Sequence, residues 1–370
     1  MFQLTDDSID SGTLVTGVQL TSKGASESLE ARKLFESAVR GSIMARARVQ
    51  EAMTTSDFPI LLGVSYGREL RTQYQGIAPV WQKFATRTTA PDFRERGLVD
   101  LLGGIAGLEV VPEASEYPAR KLTESEQKFK LRKRGARIPL TWEMFINDQL
   151  GAFRNLPDAL AISARETEDI AAVDALLNAG RTDINTNFFK TANGNAPANV
   201  ALTRANLKAA LSAIKARKGT DGRPLSFGTG KPVLLVPQAL EEVANDIVAA
   251  REIRETIDGA EVYSVNDMAS RVDVVVNPWL DVRNGNAKAA GTWFILPPPN
   301  APRPALVVPF LAGHEIPDLR VKADAGNRPG GGIIAPTEGS FGDDTVQYRV
   351  RHVVEGATLD PMLTYVSRGS

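Results

Sequence analysis

The chain has 370 residues, 43% of them hydrophobic and 24% charged, with a formal net charge of −1 and no cysteine. That length can bury a good core and leaves room for two or three domains, and the balance is that of a globular protein rather than a disordered one. Near-neutral charge excludes a global field that would draw the chain onto nucleic acid or an anionic membrane. The lack of cysteine excludes disulfides, thiolate catalysis and cysteine-held metal, and it fits assembly in a reducing cytoplasm. The longest apolar runs, such as Pro232 to Pro237, are too short to span a bilayer.

The opening MFQLTDDSID is polar and acidic, unlike a signal peptide. Residues 1–22 read as an extended arm, followed from Ser26 to Met53 by an amphipathic helix with Leu29, Leu34, Val39, Ile43 and Val49 at helical spacing. Asp57-Phe58-Pro59 opens a second helix that carries Leu61, Leu62, Tyr66, Leu70 and Tyr74 on one face and ends at Gly76. A short apolar turn surrounds Trp81. From Thr86 to Ile138 the chain alternates and turns, is dense in charge and poor in core-sized clusters, which predicts a long two-stranded excursion resting on a neighbour.

A long helix then runs from Asn155, its cap, past Pro157 in the first turn, to Gly180. Its expected buried stripe is Leu156, Leu160, Ser163, Thr167, Ile170, Val173 and Leu177, with Arg165, Glu166, Glu168, Asp169 and Asp174 mostly off it. Arg181 to Ala198 is a long loop of the kind that is functional or interfacial. Thr203 caps a helix carrying Leu207, Ala210, Leu211 and Ile214. Strands are expected at Pro232–Pro237, Val262–Val265, Val272–Val276, Trp293–Leu296 and Ala305–Val308, with a helix over Gln238–Ala250, making an α/β subdomain from about 201 to 313. The tail reads as two strands, Val346–Val353 and Ala357–Tyr365.

Candidate chemistry is sparse. Gly228-Thr229-Gly230-Lys231 lacks the glycine and the Ser/Thr that a phosphate loop needs, and it precedes a strand instead of following one. His314 and His352 sit in unrelated segments and read as structural, Asp343-Asp344 lacks a calcium loop, and Gly330-Gly331-Gly332 is a simple loop. The basic run Lys128 to Arg137 reads as a solvated or subunit-facing ribbon edge, because Glu124 and Glu126 sit beside it and stacking aromatics are nearly absent.

The order of these parts, together with certain residues, resembles the tailed-phage major capsid proteins of the Hong Kong 97-type fold, with the closest likeness to the Mu-type major head subunit family. The residues that carry it are Asp92-Phe93-Arg94, Val111-Pro112-Glu113 with Glu116-Tyr117, Gly135, Ile138-Pro139-Leu140-Thr141-Trp142-Glu143, Ile146-Asn147-Asp148-Gln149-Leu150-Gly151-Ala152-Phe153 and the late Leu359-Asp360-Pro361. Asn147-Asp148-Gln149 stands where the family often has consecutive acids.

The resemblance implies an α+β fold with an N-terminal arm (1–56), P-domain segments (57–87, then 139–200 with the spine helix, then C-terminal strands over 314–370), an E-loop (88–138) and an A-domain (201–313). It implies a non-enzymatic head protein of the virion that self-assembles as pentamers and hexamers into an icosahedral shell in the host cytoplasm. Its partners would be scaffolding, portal and decoration proteins and packaged double-stranded DNA contacted non-specifically, with no membrane. No catalytic residue, cofactor or metal is implied. Inter-subunit contacts are expected from the E-loop charges Arg94, Glu95, Arg96, Glu124, Glu126, Lys128, Lys130 and Arg132, and the loop is expected to pack on a neighbour and shift as the shell matures. The chain begins at Met1, which predicts that no scaffolding segment has been cut from its front. An encapsulin-like nanocompartment shares this fold and would enclose protein cargo instead of DNA, while an enzyme on an α/β scaffold would show a ligand-dependent thermal shift.

Overall fold

A computed structural model describes residues 14–15, 18–19, 33, 44, 58–101, 124–141, 155–196, 199–219, 224–250, 252–257, 260–266, 268, 271–322, 326–327, 329, 333–334 and 345–369. The helix expected from Ser26 to Met53 lies outside them save for Lys33 and Met44. So do the Val111–Tyr117 and Trp142–Phe153 motifs, Asp343-Asp344 and Gly330-Gly331-Gly332.

In chain order the described elements begin with strands β1 (Leu14–Val15) and β2 (Val18–Gln19), then helix α1 (Phe58–Gly76). Strands β3 (Thr86–Ala90), β4 (Arg96–Leu101), β5 (Glu124–Phe129) and β6 (Lys133–Thr141) follow, then the long helix α2 (Leu156–Leu176) and helix α3 (Arg204–Lys215). Next come β7 (Val233–Val236), α4 (Glu241–Ala249), β8 (Glu252–Ile257), β9 (Ala260–Val265), β10 (Asp273–Val276), α5 (Trp279–Arg283) and β11 (Trp293–Leu296). The chain closes with β12 (Leu306–Leu311), β13 (Asp318–Val321), β14 (Gly326–Asn327), β15 (Ile333–Ile334), β16 (Thr345–Val353), β17 (Ala357–Thr358) and β18 (Tyr365–Ser367).

The chain divides into two units, one of Met1–Ala78, Lys133–Glu166 and Gly313–Val353, the other of Pro79–Arg132, Thr167–Ala312 and Val354–Ser370. In the first, β13, β16 and β6 form an antiparallel sheet. Helix α1 lies against β13, and its Tyr66, Leu70 and Tyr74 are buried as their spacing predicts. The Tyr74 ring meets His352 edge-on at 5.8 Å, and the Arg165 guanidinium lies 3.6 Å from the centre of the same ring while donating to the Tyr74 carbonyl. His352 is thus a packed core residue.

The second unit is organised on a four-stranded sheet in the order β10-β7-β11-β18, parallel between β10 and β7 and antiparallel elsewhere. Both faces are covered, which is why VLLV and WFIL are unbroken apolar runs. Val233, Leu235, Phe294 and Leu296 point into one cluster with Trp81, Phe84, Val173, Leu176 and Phe310. Leu234, Val236, Trp293 and Ile295 point into another with Leu207, Leu211 and Ile214 of α3. Thr203 caps α3 as expected, its hydroxyl accepting the Asn206 N–H at 3.2 Å. Thr203→Ala is expected to lower stability by about 1 kcal/mol in a urea melt. A second sheet sets β12 between β17, antiparallel, and β3, parallel.

The long helix departs from its sequence reading in two ways. It ends at Leu176 instead of running to Gly180. Leu177 instead bridges to Ile184, and Asn178 holds the next turn by accepting the Thr182 N–H on its side chain and donating its own N–H to the Asp183 carbonyl. Its buried side is also different: Ser163 is exposed and Thr167 and Ile170 are only half-buried, whereas Glu168, Asp169, Ala171, Ala172 and Leu176 are buried. The two acids are held there because Trp81 donates its backbone N–H to Asp169 at 2.7 Å and its indole N–H to Glu168 at 2.9 Å.

Asp174, on the same helix, accepts two N–H bonds each from Arg181 and Arg283, all between 2.8 and 3.0 Å. Arg181 sits at φ 54, and its carbonyl takes the Gly285 N–H at 2.7 Å. The forked pairs hold a left-handed non-glycine turn in place.

The loop after α2 packs into the unit's core. Phe188, Phe189 and Asn195 are buried, and the Asn195 amide donates to Phe188 O and to the Thr364 hydroxyl. Arg217, after α3, donates to the carbonyls of Met362, Thr364 and Gly194 at 2.6–2.7 Å, and burial pushes its pKa down. The tail expected as one strand over Ala357–Tyr365 is therefore two short strands, β17 and β18, in different sheets, with this polar clasp between them.

Candidate inter-subunit ribbon

Strands β4 and β5 form a two-stranded antiparallel ribbon in the second unit, with Arg96 opposite Phe129 and Leu101 opposite Glu124. It is narrower than the excursion read from Thr86 to Ile138. Thr86–Ala90 is taken by β12 in the second unit, and Lys133–Thr141 by β16 in the first. Alternation and charge look alike in a free ribbon and in a strand with one wet face, so the sequence merged the three.

The base of the ribbon is fixed within the chain. Asp92 accepts the Arg94 backbone N–H at 3.2 Å and a forked pair from Arg96 at 3.2 Å on each oxygen. The Arg96 hydrogen bond holds the Asp92 carboxyl below its usual range. At the other limb Phe129 and Leu131 are buried, β5 runs beside β17, and Arg132 reaches Glu355 at 3.3 Å. Arg96 and Arg132 thus already hold partners in their own subunit.

Arg94, Glu95, Lys128 and Lys130 are exposed. The register sets Lys128 opposite Gly97, Glu126 opposite Val99 and Glu124 opposite Leu101, so these positions fall on one face and none stands directly opposite a charge of the other sign.

Other candidates are accounted for locally. Gly228, at φ 75, turns the chain into β7, and Lys231 lies 3.9 Å from Asp273. His314 is exposed in the turn after Gly313. Among the described residues no group of His, Cys, Asp or Glu is placed to hold a metal ion, and no helix is long and apolar enough to cross a membrane.

No curated protein sequence matches the chain. Similar solved structures include the capsid of a native GTA particle (12% identity, covering 78% of this chain and 90% of that one, TM-score 0.47). Two others are Mycobacterium phage Ogopogo (14%, 80% and 94%, 0.42) and the holo-SrpI encapsulin complex from Synechococcus elongatus (10%, 80% and 89%, 0.41). The model of a family described as phage capsid protein matches residues 124–367, from the second limb of the ribbon to the last strand. That description is coarser than the Mu-type likeness and does not name it. With most of its length matched, the chain belongs to the phage capsid protein family and is a capsid protein of phage type.

Proposed function

We propose that the chain is the major shell subunit of a Hong Kong 97-type capsid, assembling with itself as pentamers and hexamers around double-stranded DNA and carrying no enzymatic activity. The observation that carries this reading is the family match over residues 124–367. The arrangement of the ribbon supports it: the base is anchored within the subunit, while the outer charges Arg94, Glu95, Lys128 and Lys130 are exposed. Exposed pairs contribute only about 0–1 kcal/mol to a subunit's own stability, but partly desolvated charges at an interface fix register and orientation. In this reading residues 1–56 are the arm, the ribbon is the E-loop, 201–313 the A-domain, and the segments 57–87, 139–200 and 314–370 the P-domain. Scaffolding, portal and decoration proteins are its partners, and the shell forms in the host cytoplasm.

Electron micrographs of the purified full-length chain are expected to show closed shells. Monomers alone at capsid-forming concentration, with the scaffolding partner supplied, would overturn the reading, and shells filled with protein instead of DNA would make it a nanocompartment. The double variant Lys128→Glu, Lys130→Glu is expected to lower shell yield by about tenfold while shifting subunit stability by less than about 1 kcal/mol. Arg132 is left out because it holds Glu355 in the same subunit. Equal, large losses in both measurements would make the ribbon part of the subunit core.

A further inference from the structure

The sheet β13-β16-β6 of the first unit has one face packed on the core, with Arg134 beside His352 at its end, and one face rich in cations. Residues directly across an antiparallel ladder share a face. One face holds Leu319, Tyr348 and His352, all buried. On the other, the register places Arg320, Arg349 and Arg137 abreast in a single row, with Asp318, Arg351 and Gly135 in the next. Lys133 continues the same face two positions beyond Gly135, where its cross-strand neighbour is the buried Val353. Arg137, Arg320, Arg349 and Lys133 are exposed.

Asp318 is the one acid in these three strands, and it is shared by Arg320 at 2.7 Å and Arg351 at 3.0 Å. The face therefore carries five cations (Lys133, Arg137, Arg320, Arg349, Arg351) against one carboxylate. The whole chain has 43 basic and 44 acidic residues, so this is a local concentration and not a general excess. Like charges set directly opposite one another on a sheet are destabilising, and Asp318 offsets this for Arg320 and Arg351, so the neighbouring Arg349 and Arg137 are where a counter-charge from outside would gain most.

We propose that this face binds the phosphate backbone of nucleic acid and is the surface on which packaged DNA rests; the second half of the proposal rests on the shell reading above. Guanidinium forks match phosphate oxygens in pairs and stay charged at every working pH. The exposed positions named here include no aromatic side chain that could stack on a base or anchor a protein partner. Such a surface reads charge and not sequence, as contacts to phosphate do.

The test uses the full-length chain held unassembled, below its shell-forming concentration, and a fluorescein-labelled mixed-sequence DNA duplex, with anisotropy followed across a salt series. Arg137→Gln with Arg349→Gln is expected to weaken binding about tenfold or more near 0.1 M salt and to flatten the slope of log K against log salt by about 2. Arg137→Lys with Arg349→Lys keeps the charge and is expected to keep the slope, which separates lost phosphate contacts from a folding defect. An unchanged affinity and slope in the glutamine variant would overturn the proposal. So would unchanged DNA binding with loss of shell closure, which would make the face a contact for an acidic surface of a second copy. Because binding is read on unassembled subunits and shells by microscopy, failure of one reading is seen independently of the other.

Discussion

Replacing Trp81 with alanine is expected to lower the unfolding free energy of the isolated subunit by about 5 kcal/mol, enough to leave much of the chain unfolded or insoluble. The side chain is 1% exposed and packs in the main cluster, with its ring 5.9 Å from that of Phe310. Truncating a buried tryptophan costs about 3–5 kcal/mol in lost transfer and cavity terms. Here the indole also satisfies Glu168, which is 0% exposed. Leaving a buried acceptor short of its donor adds about 1–3 kcal/mol. Trp81→Phe keeps most of the bulk and loses the donor, so it is expected to cost about 2 kcal/mol. A double-mutant cycle with Glu168→Ala, which removes the acceptor, should return a coupling of about 1 kcal/mol or more. Urea melts of the alanine variant within about 1 kcal/mol of the parent would show that the contact carries little weight.

That contact also marks the limit of what the residues alone reveal. Strands buried on both faces, such as Val233–Val236 and Trp293–Leu296, are legible because nothing but apolar side chains fits there. The cap at Thr203 and the stripe Tyr66, Leu70, Tyr74 are legible because they follow from local geometry. Helix α2 is legible as a helix and illegible in orientation. Its buried side is lined by alanines and two acids, and an acid reads as solvent-facing unless its distant donor, here Trp81, is known.

The ribbon charges could be found in the sequence, but not their division into Arg96 and Arg132, held within the subunit, and Lys128 and Lys130, exposed. The hairpin of β8 and β9 is only half legible, because Glu252–Ile257 mixes three charges into its six residues, whereas its partner Ala260–Val265 carries one. The arginine row across β13, β16 and β6 was hidden for a different reason. Its members lie in three distant segments and meet only through the register.

Gly356→Val is expected to be among the most damaging single substitutions in the second unit, at about 3 kcal/mol or more. Val354 bridges Phe310, the Glu355 N–H reaches the Pro309 carbonyl at 3.4 Å, and β17 then pairs with β12. This fixes the backbone of 354–358 along β12. On its other side Gly356 touches helix α2, and a Cβ added there would stand 2.8 Å from the Ala171 carbonyl carbon and 3.1 Å from Ala172 Cα, and closer still to the Ala171 oxygen. Both neighbours are backbone, so no rotamer change relieves the clash, and Ala171 and Ala172 are themselves fully buried. Either the helix or β17 must move, and moving β17 breaks the ladder to β12. Gly76 is the control: nothing lies within 4 Å of its added Cβ. Gly76→Ala is expected to change stability by less than about 1 kcal/mol. The measurement is the urea midpoint of the two variants at equal slope. A Gly356→Val chain that melts with Gly76→Ala would mean that β17 sits away from the helix in solution, and the close packing of the tail on Ala171 would have to be given up.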